Sequence, residues 1–423
     1  MSCENLKSRL AEALWILGDC STEYVVSTTD VQYVLDGGSL LHRIPWPRGA
    51  TFGKIIDMYA EYVHNRYSNA IVVFDGYGNG PSTKDHTHQR RTKGIVGTKV
   101  YFNEDTPFKS KKDLFLGNVE NKQNFITLLA NHLRNQGCKT IHADNDADNL
   151  IVQTAVQCSK TINTVLVGEY TDLLVLLCYH MNTDYHNIVF QSEMKASLKK
   201  IRIWDIKKTK TVIGQELCKM LPFVHTISGC DTTSRLFGVG KGQSVKKASN
   251  DVYFKECADK FMNTNSKEEA CRIEEEALVG LYNGVPLEGL NLLRFRRFTF
   301  KVMTSSKFVE VHTLPPTSNA AHFHNLRVFH QVKEWIGEAD NMEAKDWGWS
   351  IEHNMCVSIR SSLPPAPDEL LKKIYCRCKT NCDSKRCSSR KHGLECSVAC
   401  TECRGNTCSN MSACKDQDSD SDE

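Results

Sequence analysis

Ile71-Val-Val-Phe-Asp-Gly76 is the stretch that decides the fold, because a short β-branched run stops abruptly at an acid and a glycine. Such a run is typical of a strand buried in a parallel sheet. Five further acids stand at or shortly after the ends of apolar runs: Asp36, Asp146, Asp148, Asp172 and Asp231. Ligands of parallel sheets gather beyond the carboxyl ends of the strands, so we expect these carboxylates to share one cleft. They would repel one another and attract hard divalent cations such as Mg²⁺ or Mn²⁺.

Residues 25 to about 250 alternate short apolar runs with helical patterns, as α/β domains do. Apolar periodicity predicts helices over residues 51–67, 122–136, 266–282 and 320–335, and a further helix beginning at Asp146. The run His225-Thr-Ile-Ser-Gly-Cys230 before Asp231 is interpreted as another strand. We expect five segments along the chain: an α/β domain with a mainly parallel sheet over 1–250, a helical extension over 251–362, a Pro-rich linker over 363–375, a cysteine-rich module over 376–414 and an acidic disordered tail over 415–423.

The charge is distributed unevenly. A formal net charge of +3 over 423 residues does not by itself indicate a nucleic-acid binder, but residues 82–112 hold eight Lys or Arg and only three acids. Aromatic residues are interleaved in or beside this stretch, and such a mixture suits phosphate contact and base stacking. They are Tyr101, Phe102, Phe108 and Phe115. No apolar run is long enough to cross a bilayer and no secretory signal pattern begins the sequence, so we expect a nuclear or intracellular protein without a membrane partner.

Nine of the 19 cysteines lie close together near the end of the sequence. In a reducing compartment a metal cluster is expected there in place of a disulfide scaffold. The spacing is Cys376-x-Cys378-x3-Cys382-x4-Cys387-x8-Cys396-x3-Cys400-x2-Cys403-x4-Cys408-x5-Cys414. This pattern resembles the CXC (tesmin-type) cysteine-rich domain, which is related to pre-SET zinc clusters. Three tetrahedral Zn²⁺ ions need about twelve ligand positions, and nine thiolates supply them if three sulfurs bridge and six bind once. Nearby Lys and Arg side chains would offset the excess negative charge and could contact DNA.

The acids resemble, in their order, those of the flap-endonuclease-like 5′ nucleases, a branch of the PIN-like fold. The resemblance covers about residues 25–250 and rests on Ile71–Gly76, on Asp146-Ala-Asp148-Asn-Leu150 and on Ser228-Gly-Cys-Asp231. It implies a three-layer PIN-like domain and a metal-dependent nuclease that cleaves DNA, more than RNA, at structured or single-stranded ends. It also implies two divalent ions. The first would be held by Asp36, Asp75, Asp146 and Asp148, and the second by Asp172 and Asp231.

Two positions depart from the family pattern. Asp146-Ala-Asp148 stands where the family usually has Glu-x-Glu, and each carboxylate is one methylene shorter. Tyr170 stands where the family usually has an acid, so the second ion loses a ligand unless Glu169 or water replaces it.

The family also places a Lys and an Arg after the Phe-Asp-Gly motif to steer the scissile phosphate. Lys84 and Arg91 fit these roles, and the alternative is that both belong to a solvated basic face. The stretch from residue 82 to about residue 116 lies where the family has a helical arch over a single-stranded end. Gly238-Val-Gly240 resembles the hairpin of a helix-hairpin-helix element, in which glycines let backbone N–H groups approach duplex phosphates. Positive charge for binding nucleic acid would come from Lys241, Lys246 and Lys247.

Two functions remain open on the sequence alone. The intact series of acids favours a metal-dependent nuclease with a zinc module for nucleic acid. Tyr170 favours a catalytically weak PIN-like scaffold whose zinc module binds DNA or chromatin proteins, in a gene derived from a mobile element.

Overall fold

The computed structural model describes most of the chain up to residue 364 and parts of the cysteine-rich region. The described residues are 4–17, 30–76, 80–84, 96–192, 202–304, 309–353, 355–364, 376, 378–379, 382–384, 386–391, 395–396 and 400–410. The chain folds into two compact units. One comprises Met1–Leu287 with His322–Ile359, and the other comprises Glu288–Ala321 with Arg360–Glu423.

The first unit is built on a six-stranded sheet. Its strands are β1 (Gln32–Asp36), β2 (Ile71–Phe74), β3 (Lys139–His142), β4 (Thr164–Val167), β5 (Ile188–Ser192) and β6 (Arg202–Asp205). Their order is β3-β2-β1-β4-β5-β6, and all neighbours are parallel except the antiparallel pair of β5 and β6. The predicted mainly parallel sheet is confirmed. Because β2 and β3 are added on one side of β1 and β4 on the other, a crevice opens at the carboxyl ends of β1 and β4.

The helices follow the predicted periodicity. In chain order they are α1 (Glu4–Leu17), α2 (Gly37–Arg43), α3 (Phe52–Arg66), α4 (Lys112–Gly117), α5 (Val119–Asn135), α6 (Asp148–Ser159), α7 (Thr171–His180), α8 (Ile206–Ile213), α9 (Gln215–Ile227), α10 (Lys241–Asn250), α11 (Val252–Asn263), α12 (Lys267–Leu281), α13 (Leu290–Thr304), α14 (Ser318–Ile336) and α15 (Ser388–Lys391). Side chains that accept a backbone N–H fix where several helices begin, as at Thr51, Asn118, Asp205, Asp251 and Ser266. The helices predicted near residues 51, 122, 146, 266 and 320 are all confirmed.

Helices cover both faces of the sheet. Leu35, Val72 and Val165 extend from one face into a buried core that includes residues of α3 and α5. Alternate residues such as Val34 and Leu166 are buried on the opposite face, where α6 packs against β1 and β4. The unit therefore has three layers. None of the helices among the described residues is long and apolar enough to span a lipid bilayer.

Asp231 does not follow a strand. The segment before it belongs to α9, which is buried almost all round from Met220 to Ile227. A short apolar run fits a buried strand and a buried helix equally well, so periodicity could not separate them. α9 and α10 pack together across residues 228–240, where Gly238 has a φ of +75°.

The aromatic residues near the basic stretch are mostly core residues, which corrects the expectation that they stack on bases. Phe102 is stacked on Phe52 with ring centroids 4.2 Å apart. Phe108 and Phe115 are each only 2% exposed, whereas Tyr101 is 85% exposed. Of the four, Tyr101 keeps a surface on which a base could stack. In the described part of residues 82–116, helical structure is confined to α4, so the described residues show no arch.

The compact unit that holds the sheet extends beyond residue 250. It continues through α11 and α12 to Leu287 and takes in His322–Ile359, which includes most of α14 and the hairpin of β7 (Trp349–Glu352) and β8 (Met355–Ser358). Phe223 of α9 packs on Phe254 and Phe261 of α11. The domain boundaries expected from the sequence stay predictions.

Candidate metal centre

The first two acids, Asp36 and Asp75, approach the same glycine. Asp36 ends β1 and accepts the backbone N–H of Ser39 at 3.1 Å, so its carboxylate caps α2. A Cβ built on Gly38 would lie 3.2 Å from Asp36 Oδ1 and 3.2 Å from Asp75 Oδ2. Both carboxylates therefore lie close to Gly38, at the carboxyl ends of β1 and β2.

The Phe-Asp-Gly motif holds the loop that carries the next acids. Asp75 Oδ1 accepts the backbone N–H of Ala147 at 3.1 Å, and Gly76 donates its N–H to the carbonyl of Asn145 at 2.8 Å. A Cβ on Gly76 would lie 2.0 Å from the carbonyl oxygen of Ala143, so only glycine fits this close approach. The motif thus fixes the β3–α6 loop against the end of β2.

Lys84 lies between the two acids of that loop. Its Nζ is 2.5 Å from Asp146 Oδ1 and 3.0 Å from Asp148 Oδ2. Burial lowers the pKa of Lys84, but Asp148 and Asp146 outweigh that effect and hold its pKa well above the ordinary value. Burial and the nearby Asp146 together raise the pKa of Asp148 to about 7. Lys84 therefore sits beside the acids, as the prediction for a phosphate-steering residue requires, and it also neutralises part of their charge.

The donor set fits a hard divalent cation. Burial, followed by the charge of Asp75, raises the pKa of Asp36 to about 7, and the buried Asp36 Oδ2 has no hydrogen-bond partner among the described residues. A buried carboxylate oxygen that lacks a partner is costly unless a cation or proton satisfies it. Among the described residues, only cysteines form groups of three or more with ligand atoms all within 4.8 Å of one another. The carboxylates therefore surround the cleft without meeting at one point.

Asp172 extends this cleft on the other side of β1. It lies in the first turn of α7, where the positive end of the helix favours a carboxylate. Its charge contributes to the raised pKa of Asp148, so the two acids lie within electrostatic reach of each other. Asp172 Oδ1 accepts a hydrogen bond from His225 Nε2 at 2.7 Å. We call Asp36, Asp75, Asp146, Asp148 and Asp172 the acid cleft.

The contacts described so far do not connect two of the predicted ligands, Glu169 and Asp231, to the acid cleft. Glu169 forms an ion pair with Arg43 at 3.2 Å, and this pair takes up its charge. Asp231 is half-buried in the turn after α9, and that turn is fixed by its neighbours. Cys230 donates its N–H to Thr233 Oγ1 at 2.8 Å, and Thr232 Oγ1 donates to Gln331 at 2.5 Å. Binding of the second ion by Glu169 or Asp231 stays a prediction.

Glu334 is an acid near the cleft that sequence reasoning missed. Burial raises its pKa to about 7 while Lys84 acts in the opposite direction, and the charge of Glu334 contributes to the raised pKa of Asp146. Asn149 Nδ2 donates to the backbone carbonyl of Glu334 at 3.3 Å, which anchors α14 beside the start of α6. The residue lies inside a helical pattern far along the chain and follows no apolar run. No sequence signal marks it.

The residues expected to bind nucleic acid differ in accessibility. Lys246 is exposed, and Lys247 is paired with Asp251 at 3.2 Å. Lys241 is only 2% exposed, and its ammonium donates to the backbone carbonyl of His225. The prediction that Lys241 contacts phosphate is therefore corrected, because its ammonium is buried and is hydrogen-bonded to a backbone carbonyl. Gly240 precedes α10 with open space around its Cα, as a backbone contact requires. Arg91 lies outside the described residues.

The described cysteines of the second unit pack on one another. Eight of them form a mutual core, which we call the cysteine cluster: Cys376, Cys378, Cys382, Cys387, Cys396, Cys400, Cys403 and Cys408. Three groups have sulfurs within 4.8 Å of one another: Cys376 with Cys378, Cys382 and Cys387; Cys376 with Cys396 and Cys400; and Cys382 with Cys396 and Cys403. Each pair of groups shares one cysteine, namely Cys376, Cys382 or Cys396. Cys414 lies outside the described residues.

No protein-family model matches this chain, and no curated protein matches it significantly. Solved structures with some similarity include the catalytic core of Rad2 in complex with DNA substrate, at 15% identity over 76% of this chain and 94% of that one, with a TM-score of 0.37. T5 D15 protein co-crystallised with metal ions follows at 12% identity over 73% and 99%, with a TM-score of 0.35. Flap endonuclease-1 from Methanococcus jannaschii has 12% identity over 76% and 97%, with a TM-score of 0.34. Similarity at this level assigns no activity to the chain.

Proposed function

We propose that this protein is a metal-dependent nuclease that acts on DNA. The observation that carries the proposal is the acid cleft itself, where a buried Asp36 oxygen has no hydrogen-bond partner in the described part of the chain and Lys84 bridges Asp146 and Asp148. Carboxylates gathered at the switch point of a parallel sheet repel one another and are costly to assemble. A hard divalent cation offsets that cost, and an enzyme that needs such a cation explains why the acids are kept together.

Four acids would hold the first Mg²⁺ or Mn²⁺, namely Asp36, Asp75, Asp146 and Asp148, and Asp172 with Asp231 would hold a second. When bound, such ions activate water and stabilise charge at phosphoryl oxygens. Lys84 keeps the loop acids in place, and its ammonium is close enough to the cleft to contact a phosphate. Lys246 and the open backbone at Gly240 would hold a duplex, since phosphate contacts position nucleic acid without reading its sequence.

The cysteine cluster is proposed to be a structural zinc module. Three groups that share three cysteines have the connectivity that nine thiolates need to bind about three tetrahedral Zn²⁺ ions. One group already has four cysteines, and the other two have three each. Cys408 and Cys414 would complete them. Reduced thiols of this kind fit an intracellular compartment, and a DNA-acting protein of this type would be nuclear.

One observation favours the alternative of a scaffold without catalysis. Lys84 already supplies a positive charge to Asp146 and Asp148, so the acid cleft is partly neutralised by the chain's own ammonium. With Tyr170 in place of an acid, the same fold could bind DNA or chromatin proteins without binding a second ion.

Cleavage of labelled flap, hairpin and single-stranded DNA with Mn²⁺ or Mg²⁺, against EDTA, separates the two functions. We expect Asp75→Asn to reduce cleavage by more than about a hundredfold. Asp144→Asn, an exposed acid of the same loop, is the matched control and should retain activity. A metal-independent rate, or equal activity in both variants, would reject the nuclease. Binding of DNA without any cleavage would support the scaffold.

A further inference from the structure

We propose that His225 is a positioning residue for the second half of the metal centre, because its imidazole binds one oxygen of the Asp172 carboxylate and fixes the direction of that group. This inference rests on the proposed function, in which Asp172 is a metal ligand. His225 belongs to α9 and Asp172 to α7, two helices that pack against each other.

The contact between these side chains is short and shielded from water. His225 Nε2 lies 2.7 Å from Asp172 Oδ1, and the two side chains are 0% and 4% exposed. At this distance from a carboxylate, Nε2 carries the proton and donates it. A hydrogen bond to an ionised acceptor in a buried setting is among the stronger kinds and fixes direction as well as distance.

The imidazole ring is itself held in place. Trp335 of α14 is stacked on it, with ring centroids 5.7 Å apart and planes 19° from parallel. Lys241 donates to the carbonyl of His225, and His180 Nε2 lies 2.7 Å from the carbonyl of Trp335. Both His225 and Trp335 are therefore anchored through their backbone carbonyls. These contacts give a structural role to the buried ammonium of Lys241. They give one also to α14, which lies far along the sequence and packs its Trp335 on His225.

The second ion is the one that most needs a fixed ligand. Tyr170 stands where the related pattern has an acid, so fewer carboxylates remain on that side of the cleft. When ligands are few, affinity depends on how well each one is oriented before the ion arrives. Hydrogen bonds from outer groups to metal-binding carboxylates change metal affinity by about 10–100-fold. A carboxylate whose Oδ1 is bound to His225 cannot rotate freely when a cation approaches it.

Three substitutions at one position separate hydrogen bonding from packing. His225→Gln keeps an N–H donor close to the place of Nε2 but loses the ring. His225→Phe keeps a ring to stack on Trp335 but loses the donor. His225→Met also lacks the donor but adapts its shape to the site. The primary readout is Mn²⁺ binding to the zinc-loaded full chain by electron paramagnetic resonance. Thermal stability in the absence of Mn²⁺ gives the structural cost of each variant.

We expect His225→Phe and His225→Met to weaken the weaker of two Mn²⁺ sites by about tenfold or more, and His225→Gln to stay within about threefold of the wild type. Cleavage by the donorless variants should recover at saturating Mn²⁺, because the ligand is misdirected but still present. Wild-type Mn²⁺ affinity in both donorless variants would overturn the proposal and make His225 a packing residue. Failure of both to fold, with His225→Gln folded, would overturn it too, because the hydrogen bond would then serve the fold. If the wild type binds no Mn²⁺, the proposed function fails first.

Discussion

The acid cleft and the cysteine cluster both gather negative ligand atoms, but the protein supports them in opposite ways. The acid cleft lies at the carboxyl ends of parallel strands in a sheet that, with its helices, buries a large apolar core. Lys84 supplies the acid cleft with a positive charge. Among the described residues of the second unit, the core formed by the cysteine cluster consists of cysteines alone. A site built on an independent core folds before it meets an ion, whereas a site that is its own core needs the ion to fold. The two regions should therefore respond differently to metal removal.

Zinc removal gives the largest expected effect. We expect the full chain to carry about three zinc ions. A zinc-selective chelator should unfold residues 376–414 while leaving the sheet of the first unit protected from hydrogen exchange. Elemental analysis measures the zinc content, and hydrogen-exchange mass spectrometry measures the protection of each region.

Single cysteine substitutions sharpen that prediction. Cys382→Ser removes a sulfur shared by two groups and should lose more zinc than Cys378→Ser, which removes an unshared one. Cys158→Ser, outside the cysteine cluster, is the control and should keep full zinc content. Loss of protection in the sheet on chelation, or equal zinc loss in all three variants, would contradict the division between the regions.

The acid cleft should show the opposite behaviour, since its charge opposes folding when no ion is bound. The pKa of Asp36 is raised to about 7 by burial and by Asp75, so the folded state binds more protons than the unfolded state between about pH 4 and pH 7. Stability from this group therefore falls as pH rises through that window. Asp36→Asn removes the penalty and can still cap α2, because Asn is as good an N-cap as Asp.

We expect the melting temperature of Asp36→Asn to match that of the wild type near pH 4. It should exceed the wild-type value by a growing margin up to about pH 7, with about 1 kcal/mol shifting Tm by roughly 2–4 °C in domains of 150–250 residues. The measurement is a pair of melting curves in EDTA at each pH. Excess Mn²⁺ should reverse the order, because the aspartate then gains a cation. A constant difference in melting temperature across the pH range would mean that ionisation of Asp36 does not destabilise the folded state.

Glu334 should have a smaller influence, because it acts on the cleft through space. Replacing it with Gln removes one negative charge that faces Lys84 and Asp146, and we expect Mn²⁺ affinity to fall by about two- to fivefold. Glu338→Gln, two residues beyond the end of α14 and paired with Lys333, is a matched charge control and should leave affinity unchanged. Equal effects of the two substitutions would show that Mn²⁺ affinity depends on the net surface charge and not on the position of Glu334.

The sequence predicted what strand ends and helix periodicity determine, and it missed what tertiary packing brings together. Asp36 and Asp75 were predictable because each directly follows a short apolar run. The partners of Asp172 were not, since His225 lies in an apolar run interpreted as a strand and Trp335 lies on a distant helix. Lys241 was misread for a related reason, because a lysine beside glycines looks solvated unless the fold is known to bury it. Spacing in sequence carries no information about which groups a buried ammonium meets.

The smallest expected effect concerns the basic residues of α10, and it tests whether exposure decides their role. Lys246→Gln removes an exposed charge and should weaken duplex binding modestly, lowering the salt slope of the binding constant by about 1. Lys247→Gln should do less, because Asp251 already pairs with that ammonium. Lys241→Met should leave the salt slope unchanged and lower the melting temperature, since its charge satisfies the carbonyl of His225. Duplex affinity at several salt concentrations, with a melting curve for each variant, distinguishes these cases. A full unit of salt slope lost in Lys241→Met would show that the buried lysine reaches phosphate after all.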